Sequence, residues 1–172
     1  MCQRKGSIFR CVPVIRSALF LIIAFFGHSD FHGSQELEDK IVACIKEKAS
    51  GENVSFFLGG YGGFDSFALH CCKKYQELDP SVKTVFVSPY RRERYFKDRP
   101  YVRENYDEIL LPDGIDGEFS TFNILKRNEW MVRNADFIIA YVNVGWGGAA
   151  RALEYAVRRK KPYLNFGQKK YE

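Results

Sequence analysis

Glycines carry the first chemical signal in this chain. Gly59-Gly60-Tyr61-Gly62-Gly63-Phe64-Asp65 places four glycines in five positions, after an apolar run and before a helical pattern. Backbone N–H groups without flanking side chains, next to the positive end of a helix dipole, form an anion cradle suited to phosphate. A tight turn where a helix packs closely on a strand would use the same glycines. Asp65 could cap the helix that follows or accept a hydrogen bond from a ligand hydroxyl. A second stretch, Gly145-Trp146-Gly147-Gly148, also runs into a helical pattern. Two such turns in one small sheet could grip a ligand from two sides. The first stretch matches neither a Walker loop nor a GxGxxG fingerprint.

Other side chains stand near these turns. His28 and Ser29 follow Gly27 at the end of an apolar run, at the expected rim of a site. Glu154 lies in the second turn of the helix after Gly148, where a carboxylate could serve as nucleophile or base or hold a ribose hydroxyl. Arg127 lies mid-helix before a core strand. It would pair with phosphate in fork geometry if it faced the site. Ordinary alternatives are a backbone-bonded turn histidine, a solvated glutamate and a surface arginine. His28, His32 and His70 show no ligand spacing, so no metal and no cofactor are implied.

The elements that must position these residues alternate between strand and helix. Apolar runs mark strands at 18–26, 54–58, 84–87, 108–111, 136–142 and 163–166. Helical spacing marks about 34–49, a helix after Gly63 that Asp79-Pro80 stops, 121–134 and about 149–159. The basic, aromatic segment 89–106 has little periodicity and reads as a mobile flap or a loop with a short helix. Continuous apolar strands separated by amphipathic helices predict an α/β fold: a three-layer, Rossmann-like domain with a mainly parallel central sheet. Ligands in such sheets bind beyond the carboxyl ends of the strands.

Bulk composition agrees. The chain has 172 residues, which suits one domain over 17–172. Residues 1–16 read as an extension outside it, expected to be disordered. The apolar run from Ser17 to Phe26 follows basic residues as in a signal peptide, but it is too short to span a bilayer and suits a buried strand better. Of the net charge of +5, four charges come from Arg4, Lys5, Arg10 and Arg16, so the rest is close to neutral. That disfavours nucleic acid as a partner, although Arg91, Arg92 and Arg94 with nearby tyrosines could contact a strand. Cys2, Cys11, Cys44, Cys71 and Cys72 form an odd set without a CxxC pair, as expected of reduced thiols in the cytoplasm.

Phe25-Phe-Gly-His-Ser-Asp30, Gly59-Gly-Tyr-Gly-Gly-Phe-Asp-Ser-Phe-Ala68 and Arg127-Asn-Glu-Trp-Met-Val-Arg-Asn-Ala-Asp-Phe-Ile-Ile-Ala140 resemble the SLOG superfamily of Rossmann-like domains, most closely its short bacterial YpsA-like members. The superfamily includes the LOG phosphoribohydrolases, which remove the base from cytokinin nucleotides, and the DNA-processing protein DprA. The resemblance covers about residues 20–166. Arg127, Gly147, Gly148 and Glu154 match the arginine, glycines and glutamate of the LOG pattern, while Ala150 and Arg151 replace its glycine and threonine. Ser29 replaces the arginine usual after Gly-His. The resemblance implies binding of a nucleotide-like small molecule at Gly27–Ser29, Gly59–Gly63, Asp65, Gly145, Gly147 and Gly148. The alternative is N-glycoside hydrolysis of a nucleoside or its monophosphate, with Glu154 and Arg127 as catalytic groups, as in LOG enzymes or nucleoside deoxyribosyltransferases. No membrane partner is implied, and homo-oligomerisation through aromatic surface is compatible with the chain.

Overall fold

A computed structural model describes residues 20–49, 53–91, 93–115 and 120–168. The expected extension at 1–16 lies outside them. In chain order the elements are β1 (Phe20–Gly27), α1 (Gln35–Lys48), β2 (Asn53–Leu58), α2 (Gly62–Leu78), β3 (Lys83–Val87), α3 (Glu93–Lys97), α4 (Pro100–Asn105), β4 (Glu108–Leu110), α5 (Thr121–Asn134), β5 (Phe137–Tyr141), α6 (Gly147–Arg158) and β6 (Tyr163–Asn165).

The six strands form one parallel sheet in the order β4-β3-β2-β1-β5-β6. Successive side chains of a strand point to opposite faces, and here both faces are covered. Ile23, Phe25, Phe56, Leu58 and Phe86 pack into the layer that holds Ile41, Ile45, Phe64 and Ala68 of α1 and α2. Ile22, Ala24, Phe26, Val85 and Ile138 pack against Met131 and Val132 of α5 and Leu153 and Ala156 of α6. Burial on both faces is why these strands read as unbroken apolar runs. Ser34 caps α1, accepting from the Leu37 N–H at 3.2 Å. None of the described helices is long and apolar enough to cross a membrane.

The winding reverses at β1. From there the chain steps outward through β2, β3 and β4, then returns to place β5 on the other side. The helices on either side of such a reversal diverge and leave a crevice at the carboxyl ends of the strands.

Segment 89–106 departs from the flap expectation. It forms two short helices, and the aromatic residues of α3 and the one just after α4 join the core. Tyr95, Phe96, Val102 and Tyr106 are buried, and the rings of Tyr95, Phe96 and Tyr106 lie 6.4, 6.3 and 5.4 Å from that of Phe86. Clustering around one ring needs no helical period, so periodicity could not reveal it. Arg99 lies over the Tyr95 ring at 4.4 Å, so part of the basic character of this segment is spent on aromatic faces. Truncating the shared ring, Phe86→Ala, is expected to cost about 3–5 kcal/mol. Urea unfolding would measure the loss, and amide exchange should rise more at α3 and α4 than at β1.

Candidate functional site

The crevice is a cavity of about 730 Å³ at the β1–β5 reversal. Its wall begins at the end of β1 with Gly27, His28 and Ser29, continues through Gly59 and Tyr61 after β2, and closes with α5 and the start of α6. Gly27 leaves no room for a side chain, because a Cβ there would sit 2.2 Å from the Phe64 ring.

The turn into α2 contains the four clustered glycines, and it spends its donors within the protein. The Gly63 N–H donates to the Ser29 carbonyl at 2.8 Å and the Phe64 N–H to the His28 carbonyl at 3.3 Å. The Tyr61 N–H donates to Asp65 Oδ2 at 2.7 Å. Gly62 has φ +85°, and a Cβ on it would meet Ser29 Cα at 2.5 Å. Close packing on the β1–α1 loop is therefore what Gly62 and Gly63 serve, while Gly60 makes room for the Phe86 ring. Gly60, Gly62 and Gly63 do not line the cavity. The expectation of a phosphate cradle from them is corrected for that reason: Gly62 and Gly63 pack on the β1–α1 loop and Gly60 on the Phe86 ring, away from the cavity.

Beneath this turn lies a buried pair of opposite charges. Asp65 is 8% exposed and Arg127 3%, and both line the cavity. Asp65 does not cap α2 from the N-cap position, which Tyr61 occupies. It reaches back from the first turn. Burial raises its carboxyl to about 6, against the opposing pull of Arg127 and of hydrogen bonds from the Tyr61 and Gly59 backbone. Arg127 Nη1 donates to the carbonyls of Gly59 and Val87, both at 2.9 Å, joining the ends of β2 and β3. Its guanidinium carbon lies 5.7 Å from the centre of the Tyr61 ring. Burial lowers its pKa from the ordinary value, and the Asp65 carboxylate opposes this. Arg127 Nε is buried and has no hydrogen-bond partner among the described residues. The Tyr61 hydroxyl meets that of Tyr95 at 2.7 Å, and the Tyr101 hydroxyl donates to the Gly60 carbonyl at 3.2 Å. These contacts fasten α3 and α4 to the glycine turn.

The turn into α6 is built the opposite way. Its N-cap is Trp146, which supplies no side-chain hydrogen bond. Gly147 has φ +91°, and nothing lies within 4 Å of where a Cβ would be. The first N–H groups of a helix lack intrahelical acceptors, and no backbone carbonyl outside α6 takes those of Gly147, Gly148 or Ala149 among the described residues. All three residues line the cavity. Asn128 Nδ2 lies 3.7 Å from where a Gly148 Cβ would be, and the Asn128 amide makes no hydrogen bond among the described residues. His28 Nε2 accepts from the Asn143 N–H at 3.2 Å and the Val144 N–H at 3.5 Å, which pins the loop before α6 to the end of β1. An accepting Nε2 places the ring proton on Nδ1.

Of the residues singled out from the sequence, Gly27, His28, Ser29, Gly59, Tyr61, Asp65, Arg127, Gly147 and Gly148 meet at the cavity. Gly145 does not line it. Glu154 is exposed and also stands outside it. Ala150 and Leu153 face the core from α6, and the helical rotation from them turns Glu154 to solvent. The expectation of a catalytic glutamate at the site is corrected accordingly. Asn128, Asn143 and Trp146 line the cavity without having been assigned to it. A polar residue beside Arg127 within the buried stripe of α5 was the available signal for Asn128.

No known family model matches the chain. Over 148 residues it is 29% identical to the uncharacterised SPbeta prophage-derived protein YoqJ of Bacillus subtilis (strain 168), covering 75% of this chain and 83% of that protein. DprA from Streptococcus pneumoniae superposes with a TM-score of 0.59 at 16% identity, over 85% of this chain and 50% of that one. DprA from Helicobacter pylori, described for its single-stranded DNA binding mode, gives 0.60 at 18% identity, over 88% and 67%. The chain thus spans half of the pneumococcal protein. At these identities the likeness shows the fold. It is a Rossmann-like fold.

The buried carboxyl makes stability depend on pH. In the unfolded chain Asp65 would lose its proton near 3.8, but in the folded protein only near 6. Between those values the folded state binds more protons, so rising pH removes stability. The loss is complete above the folded value and is on the order of 3 kcal/mol. Asp65→Asn lacks this titration. Denaturant unfolding of both proteins from pH 4 to 7 should show the wild type losing stability relative to the variant; parallel profiles would contradict the assignment.

Proposed function

We propose that this domain binds a phosphate-bearing, nucleotide-like small molecule, with the phosphate at the N-terminus of α6. The Asn128 amide adds a donor at that turn, and Arg127 supplies positive charge from the cavity floor. One observation carries the reading: Arg127 Nε is buried without a partner in a side chain that lines the cavity. A charged donor left unsatisfied in the interior is costly, and an anion held in the cavity offsets the charge of that guanidinium. The free N–H groups of α6 lie in the same cavity, where the helix dipole favours an anion. A volume of about 730 Å³ is in the range of small-molecule sites.

The depth of Arg127 favours a small ligand over a nucleic-acid strand, whose phosphates are usually met by exposed cations. Enzymatic N-glycoside cleavage gains no support, because Glu154 lies outside the cavity. We group the chain with the short bacterial YpsA-like SLOG members.

Calorimetry of the full chain against inorganic phosphate, ribose 5-phosphate and nucleoside monophosphates tests the reading. Asn128→Asp sets a carboxylate beside the α6 N-terminus and should weaken phosphate-bearing ligands by at least about tenfold, the equivalent of about 1.4 kcal/mol. Its melting temperature without ligand should stay close to that of Asn128→Ala. Absence of binding by every phosphate-bearing compound would overturn the proposal.

A further inference from the structure

Trp146 is 72% exposed, yet it lines the cavity. The other tryptophan, Trp130, lies nearly parallel to the Phe57 ring, with centroids 5.7 Å apart and planes 17° apart, and packs half-buried against the core. Trp146 makes one aromatic contact among the described residues, with His28 at 6.4 Å and 45°, a tilted geometry that leaves the indole faces open. It sits between Gly145 and Gly147, so no neighbouring Cβ crowds it. An indole held in water forfeits the burial that makes tryptophan favourable elsewhere. The three residues that follow it in the chain present the free N–H groups of α6. A ligand with its phosphate there has its remaining atoms within reach of the indole.

We propose that Trp146 is the stacking platform for the base of a nucleotide, and that it makes the site selective for phosphates that carry an aromatic ring over plain sugar phosphates. This rests on the placement of phosphate at α6. Ring-on-ring stacking tolerates any base, because every base has a π-face. The proposal therefore predicts discrimination between nucleotides and ribose 5-phosphate more than between one base and another.

The test uses the full chain with AMP, ribose 5-phosphate and adenosine as probes. In a Trp130→Phe background the remaining emission is that of Trp146, and AMP should quench it while ribose 5-phosphate leaves it unchanged. By calorimetry, Trp146→Ala should weaken AMP roughly tenfold, in the range of base–aromatic stacking, and leave ribose 5-phosphate as it was. Trp146→Phe keeps a ring and should stay within about threefold of the wild type by the same stacking argument. If Trp130→Phe does not fold, the calorimetric comparison of Trp146→Phe with Trp146→Ala decides alone. Equal binding of AMP and ribose 5-phosphate, unaffected by Trp146→Ala, overturns the stacking platform and leaves the phosphate site standing. Adenosine binding that needs Trp146, with no binding of ribose 5-phosphate, keeps the platform and removes the phosphate site. Silence from all three probes removes both. Loss of self-association in Trp146→Ala without a change in AMP affinity would assign the indole to a contact between copies and overturn the proposal.

Discussion

Arg127 holds the site together. One nitrogen of its guanidinium ties the last carbonyl of one strand to the glycine turn that ends the next. Those carbonyls lie where a parallel sheet runs out of partners, and a buried C=O without a donor is costly. The guanidinium supplies the donor and brings a charge with it. That charge calls for Asp65 nearby, and Asp65 in turn fixes the start of α2 through the Tyr61 N–H. Strand ends, glycine turn and helix start are thus joined through one side chain, and they share a wall of the cavity.

The two glycine-rich turns resemble one another in composition and differ in bonding. At α2 the glycines let the chain approach the β1–α1 loop so closely that its carbonyls take the helix donors. At α6 the glycine lies in open space and the donors meet no acceptor among the described residues. Glycine permits both outcomes, and the neighbouring backbone decides which occurs. His28 takes part in both: its carbonyl accepts from the α2 turn and its ring nitrogen accepts from the loop that leads into α6.

Much of the architecture was legible in the residues. Strands buried on both faces leave continuous apolar runs, and α5 begins and ends at the residues its apolar spacing marks, Thr121 and Asn134. Arg127 was visible as a candidate because an arginine within the helix before a core strand is unusual company for buried residues. The fate of the glycine donors was not legible, since it depends on carbonyls some thirty residues away. Glu154 was misplaced because a shared pattern fixes spacing along a helix but not how that helix is rotated on its sheet. The role of the aromatic residues in 89–106 was hidden because they gather around Phe86 rather than along a helical stripe.

The position of β1 has a consequence for the order in which the molecule can assemble during synthesis. Among the described strands β1 comes first in the chain and lies inside the sheet, yet one of its neighbours is β5, and the Ile22 N–H is bonded to Asp136, 114 residues later. While the ribosome adds the intervening residues, β1, β2, β3 and β4 can pair and draw in α1 and α2. The other edge of β1 stays open, however, as an exposed ladder of N–H and C=O groups beside an uncovered apolar face. Such edges invite pairing with other chains. The cavity cannot exist in that interval, because its second wall has not been translated. The cavity is thus a late product of synthesis, and closing it also removes a vulnerable edge of the nascent chain.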